Sequence, residues 1–194
     1  LSNLWHNRIY REGVATQLFY VAAQIMTWTF IIQYADYLGI DKATAQKYNI
    51  LAMTLFLSGR FISTFLMKYI NTRRLLMLFA IGAAICSLSA IFIVGIVGLY
   101  SLVGISIFMS LMFPTIYGIA LENVDAKDTA LGAAFLVMAI VGGALMPPLQ
   151  GLIIDQHQVF GHPAVNASFV LPLLCFVIIG IYGYRTLYKL NANR

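Results

Sequence analysis

Charge is what this sequence lacks most. Only 10% of its 194 residues are charged and 61% are hydrophobic, whereas a soluble domain carries about 25% charged residues. From Leu75 to Leu121, 47 residues pass without a charged side chain. One transmembrane helix takes roughly 20 apolar residues, so this run is two spans long, turned at Gly95-Ile96-Val97-Gly98. Cysteine is nearly absent: Cys86 and Cys175 stand alone in apolar segments and read as packing residues, not as a disulfide. There is no H-E-x-x-H, no G-x-S-x-G and no P-loop, so an intramembrane protease or ATPase has no visible chemistry and the chain reads as a non-enzyme without a cofactor. His6, His157 and His162 are isolated and read as solvated loop residues. No G-x-x-x-G pair occurs, which excludes a glycophorin-type dimer face. Asn166-Ala167-Ser168 matches a glycosylation pattern against the start of an apolar run and reads as chance.

What is present is six apolar segments, at about 13–35, 48–67, 75–93, 99–121, 129–154 and 167–184. They predict an all-α integral membrane protein of six transmembrane helices in one unit over 1–194. Nine of the twelve Lys and Arg fall on one side of these spans: Arg8, Arg11, Lys68, Arg73, Arg74, Lys127, Arg185, Lys189 and Arg194. Lys42 and Lys47 fall on the other, and Arg60 lies within the second span. The positive-inside rule makes the richer side cytoplasmic, with both termini there. The same rule accounts for the net charge of +5 without a nucleic-acid partner. The chain starts at Leu1 with no signal-like segment and reads as a fragment or one half of something longer.

Polar residues inside the spans are the candidates for function, because hydrocarbon cannot hydrogen-bond an amide. Gln17, Tyr20, Gln24, Thr27, Trp28 and Ile31 recur at three- and four-residue steps in the first span and share one helical stripe. Amides beside an aromatic face suit a sugar, which needs partners for its hydroxyls and a ring for its C–H surface; interhelical hydrogen bonding is the competing reading. Arg60 is the one charge well inside a span. It suits a gate or ion pair near the cytoplasmic mouth, with Glu122 as a candidate partner, or a structural clamp. The fourth span carries Ser106, Ser110, Phe113, Pro114 and Tyr117 on nearby turns, and the fifth Met138, Gly142-Gly143, Pro147-Pro148 and Gln150. Glycine- and proline-interrupted spans point to a transporter binding region; close packing and a simple kink are the alternatives. Phe113 and Met138 are candidates for substrate contact. No Asp or Glu sits at the centre of a span, so a proton-coupled carrier would hold its proton site elsewhere.

Several segments resemble a known family. Ala22-Ala23-Gln24, Ser58-Gly59-Arg60-Phe61, the run from Met109 to Ile116, and Phe135 to Gly143 followed by Pro147, Gly151 and Asp155 are similar to the C-terminal half of the L-fucose–proton symporter family of the major facilitator superfamily. The resemblance covers about Trp5 to Tyr184. It implies the last six of twelve spans, alternating access, a sugar (L-fucose, glucose or galactose) and a proton as substrates, a bacterial inner membrane, and an N-terminal six-helix half that holds the proton-carrying acids. Gln24, Trp28, Gln17, Tyr20, Phe113 and Met138 would then contact sugar. Arg60, Glu122, Pro114, Gly142, Gly143 and Pro147 would serve gating or bending. One departure is the loop Met67 to Arg74, where Lys68 and Asn71 replace the superfamily's Asp and Gly. A uniporter or solute sensor without proton coupling is the alternative function, and a self-contained six-span scaffold or channel a more distant one.

Overall fold

The structure is a computed structural model that describes residues 2–122, 124–156, 158–159 and 161–192, with side chains over residues 4–188 of that range. His157 and Arg194 lie outside the described residues, and so does the side chain of Lys189. Among the described residues, six helices are long and apolar enough to cross a membrane. A short helix α1 (Ser2–His6) leads into α2 (Arg8–Tyr37), followed by α3 (Lys42–Leu66), α4 (Thr72–Phe92) and α5 (Ile96–Leu121). The fifth crossing is split into α6 (Thr129–Met138), a 3-10 turn (Ala139–Val141) and α7 (Gly142–Ile154). A small antiparallel hairpin, β1 (Gln158–Val159) and β2 (His162–Pro163), precedes α8 (Ala164–Ala167) and α9 (Val170–Ala192).

The helix starts lie outside the apolar runs because polar caps set them. Asn7 accepts a hydrogen bond from the Tyr10 N–H, Asp41 from Thr44 and Asn71 from Arg73. Each satisfies one of the N–H groups that a helix start leaves unpaired. The first helix therefore begins at Arg8 rather than Gly13 and the second at Lys42 rather than Tyr48. Gly95, at φ +125°, makes the turn between α4 and α5, a conformation that costs glycine little. His6 is exposed at the end of a helix rather than in a loop, and His162 is half-buried and packs edge-on against Phe92, 5.7 Å between ring centres.

Burial ranks the helices. In the most apolar windows of α2 and α5, 56% of residues are buried, against 22% in α3 and in the split crossing. Helices α2 and α5 form the centre. Helices α4 and α9 pack behind them, α3 leans on α5, and α7 leans on α2. Helix α3 touches its neighbours through Ala45, Asn49, Ala52, Gly59 and Ser63, mostly small residues on one stripe. At Gly59 a Cβ would lie 2.9 Å from the Ser110 hydroxyl. Such small residues let helices approach closely where lipid removes the hydrophobic drive to associate.

The end of the bundle that holds the α4–α5 turn is tied by buried polar groups. The Asn166 amide donates to the Ala90 carbonyl (2.7 Å) and the Tyr34 hydroxyl (3.0 Å), and Tyr34 donates to the Ile93 carbonyl (3.2 Å). The Gln150 amide donates to the Ser168 hydroxyl at 3.1 Å. Helices α2, α4, α7 and α8 are thereby joined. Asn166 is fully buried, so the glycosylation-like triplet is closed to modification in the folded chain.

Candidate functional site

The polar stripe of α2 divides in the structure. Gln17, Tyr20, Thr27 and Ile31 are fully buried, whereas Gln24 and Trp28 are half-buried. Tyr20 donates from its hydroxyl to the Met109 carbonyl (3.1 Å) and meets Phe113 edge-on at 6.0 Å. Trp28 donates from its indole to the Ser106 hydroxyl (3.2 Å) and meets Phe56 of α3 edge-on at 5.2 Å. Gln24 lies one turn from each. No hydrogen bond engages its side chain among the described residues, so its carbonyl and amide are free for a ligand. Phe113 stacks on Tyr117, 6.4 Å apart and 14° from parallel.

These residues make a wall from three helices: Tyr20, Gln24 and Trp28 of α2, Phe113 and Tyr117 of α5, and Phe56 of α3. Two bonds to α5 hold the aromatic members, so the wall is rigid before any ligand arrives. Phe56 was not singled out in the sequence. Its signal would have been its place one helical turn before Arg60.

Other candidates take different places. Gln17 does not open onto this wall; both ends of its amide are buried without a partner. Met138 is 65% exposed at the end of α6. Gly142 lies against the Leu18 carbonyl and Gly143 against Ile25 and Val21, so the glycine pair serves close approach of α7 to α2. The break in the fifth crossing lies just before the pair. Pro147 and Pro148 continue α7 without interrupting it. Pro114 sits inside α5 between Phe113 and Thr115, where it removes one backbone donor.

The ions pair differently from the sequence reading. Glu122 bonds to Arg73 of α4, not to Arg60. Arg73 starts α4 directly beside the end of α5, whereas Arg60 points from an exposed position of α3. Arg60 forms no ion pair among the described residues. At the same end, Glu12 joins Arg8 (2.8 Å) and Arg185 of α9 (3.0 Å). Among the described residues no group of His, Cys, Asp or Glu is arranged to hold a metal.

No protein-family model matches the chain. Individual relatives do. An L-fucose-proton symporter of Haemophilus influenzae is 62% identical over 95% of this chain, and that of Escherichia coli is 35% identical over 94%. The crystal structure of the E. coli fucose:proton symporter FucP superposes with a TM-score of 0.90 over 96% of the chain at 32% identity. Over nearly its whole length, this chain is similar to part of the L-fucose–proton symporters. A second FucP structure, a major facilitator superfamily transporter in the outward conformation, gives a TM-score of 0.88. A glucose/galactose transporter of Brucella abortus is a more distant relative of the family, 28% identical over 92% of the chain. The chain spans less than half the length of these proteins: 43% and 41% of the two symporters and 44% of the FucP chain. It is a multi-pass membrane protein with the fold of one half of such a transporter.

Proposed function

We propose that this chain is the C-terminal half of a proton-coupled sugar symporter, specific for L-fucose or a related hexose. The observation that carries the reading is the 62% identity, over 95% of the chain, to a protein named an L-fucose-proton symporter. The wall of Gln24, Trp28, Phe113 and Tyr117 supplies the sugar contacts of this half, and Tyr20, fully buried and bonded to the Met109 carbonyl, supports Phe113 from behind. Gln24 bonds ring hydroxyls, and the aromatic faces pack on the C–H surface of the sugar. Arg60, the Arg73–Glu122 pair and the break before Gly142 serve the conformational change. A second six-helix bundle closes the cavity from the other side, and rocking of the two bundles exposes the site to each face in turn.

The proton route lies in that second bundle. All seven acids of this chain stand at helix ends or in loops, and a proton relay at depth needs an ionisable side chain there. The basic end of the bundle faces the cytoplasm in a bacterial inner membrane, which places both ends of the chain inside. The sparse acids also favour one second reading, a uniporter or sensor with the same sugar wall.

The test is uptake of labelled L-fucose into vesicles bearing the full-length transporter, with and without an inward proton gradient, with galactose and glucose as competitors. Gradient-stimulated uptake is the expected outcome. Uptake indifferent to the gradient favours the uniporter, and no transport of any of the three sugars overturns the substrate assignment.

A further inference from the structure

Helices α4 and α9 are antiparallel neighbours, and the start of one packs against the end of the other. A Cβ on Gly183 would lie 3.3 Å from the Met77 nitrogen and 3.5 Å from the Arg73 carbonyl oxygen. From that contact an open groove of about 320 Å³ runs along the two helices. Its floor is made of Ala80, Ala84 and Gly180, with the buried ring of Phe176. A Cβ on Gly180 would meet only the Ala80 methyl group, at 3.6 Å, so this glycine leaves space open rather than serving a close contact. Ile81, Val177 and Ile181 stand exposed along the sides.

The groove lies in hydrocarbon. Both helices are long and apolar enough to cross a membrane, and no charged residue occurs from Leu75 to Phe92 or from Val170 to Tyr184. The lining runs from Met77 to Ala84 on α4 and from Phe176 to Tyr184 on α9, a length of about 10–12 Å at 1.5 Å per residue. That is most of one leaflet, or half of a hydrocarbon core about 30 Å thick. Lipid chains surround such a face in any case, and hydrocarbon adds no drive to bury one more. Such a groove selects an occupant through close packing along its walls and through the charge at its mouth.

That charge is Arg74. It continues the stripe of Met77, Ile81 and Ala84 at three- and four-residue steps. It is exposed and forms no ion pair among the described residues. The acids near this end are already matched, Glu122 by Arg73 and Glu12 by Arg8 and Arg185. On α9 the stripe of Val177, Ile181 and Tyr184 ends at Tyr188, and both tyrosines are exposed, as rings at the headgroup level of a bilayer are.

We propose that this groove holds one acyl chain of an anionic phospholipid whose headgroup meets Arg74. The chain fills the space over Gly180 and Ala80, and the phosphodiester accepts hydrogen bonds from the guanidinium. The proposal does not depend on what the protein transports.

The experiment is native mass spectrometry of the full-length transporter in detergent, titrated with phosphatidylglycerol in one arm and phosphatidylcholine in the other. Phosphatidylglycerol is expected to bind the tighter. Arg74→Gln, a change at an exposed position, is expected to weaken it about fivefold, the worth of one basic residue near a membrane surface, and to leave phosphatidylcholine unchanged. Gly180→Leu fills the groove and is expected to remove tight binding of both lipids. The need for a chain is also read on the unaltered protein, which settles the matter if Gly180→Leu does not fold: lysophosphatidylglycerol, with one chain, is expected to bind, and glycerophosphoglycerol, with none, is not. Equal binding of the two phospholipids, no effect of Arg74→Gln, lipid retained by folded Gly180→Leu, or binding of glycerophosphoglycerol each overturns the proposal. A dimer that excludes lipid also overturns it and gives the groove to a second copy of the chain. Sugar uptake is not a readout, so the outcome stands apart from the transport proposal.

Discussion

Gln17 and Gln24 lie two turns apart on one helix and present opposite situations. Gln24 is half-buried with no hydrogen bond engaging its side chain among the described residues. Its loss therefore removes nothing from the fold. Gln24→Ala is expected to leave the melting temperature unchanged and to raise the sugar half-saturation constant about tenfold, the value of roughly one good hydrogen bond to a ligand. Unchanged uptake kinetics would remove Gln24 from the site. Gln17 is fully buried with neither end of its amide paired. An apolar side chain of similar shape avoids that desolvation cost of about 1–3 kcal/mol. Gln17→Met is thus expected to raise the melting temperature of the purified protein with little effect on sugar affinity. A fall in melting temperature, or a loss of sugar affinity, would mean that Gln17 finds its partner in another conformation of the transport cycle. The stripe was legible in the sequence because helical periodicity sets direction. Which part of it a neighbour covers was not, because that depends on where α5 crosses, and the serines of α5 at Ser106 and Ser110 do not say which helix they meet: one bonds Trp28 of α2 and the other Ser63 of α3.

At the scale of elements, the six crossings were legible because hydrocarbon thickness sets the length of each apolar run. Their ends moved outward because caps act beyond the apolar part. Asp41 is such a cap, and it makes the start of α3 sensitive to acid. Bonds from the Thr44 side chain and N–H hold its carboxyl below the usual carboxylate range. A depressed native value means that the cap contributes fully above the ordinary carboxylate pKa and is lost as pH falls through the lower native one. Amide protection factors over Thr44 to Tyr48 are expected to drop in that acidic window. Asp41→Asn, an equally good cap without a titrating proton, is expected to hold them constant. The break before Gly142 was not legible. Gly142-Gly143 and Pro147-Pro148 both read as bending signals, but the prolines lie within α7 and the glycines serve contact with α2. Gly142→Ala would drive a methyl group into the Leu18 carbonyl. It is expected to lower the melting temperature and to impair transport, whereas Gly151→Ala, whose Cβ meets nothing within 4 Å, serves as the neutral control.

The whole molecule has two kinds of exposed surface that composition alone does not separate. Ile81, Ile85 and Ile181 lie exposed on α4 and α9 without a charge among them, as do Leu57 and Phe61 on α3. What distinguishes α3 is Arg60, which lies between those two and has no ion pair among the described residues. An arginine facing the hydrocarbon centre costs about 2.5–3.5 kcal/mol or more, while isoleucine is at home there. If one half of a transporter is to meet the other across water, α3 with Arg60 is the side that does so, and α4 with α9 is the side that meets lipid. With Cys86 and Cys175 replaced by serine or alanine, single cysteines can read this division in the full-length protein. Arg60→Cys is expected to react readily with a charged, water-soluble thiol reagent added to membrane vesicles, and bound sugar to slow the reaction. Ile85→Cys and Ile181→Cys are expected to stay unmodified, because a thiol in hydrocarbon neither ionises nor meets the reagent. Equal labelling at all three positions would place water on both sides of the bundle, which a half-transporter packed against a partner does not allow. Protection of Arg60→Cys in the absence of sugar would place it against protein or lipid instead and leave the wall around Gln24 to reach water by another path.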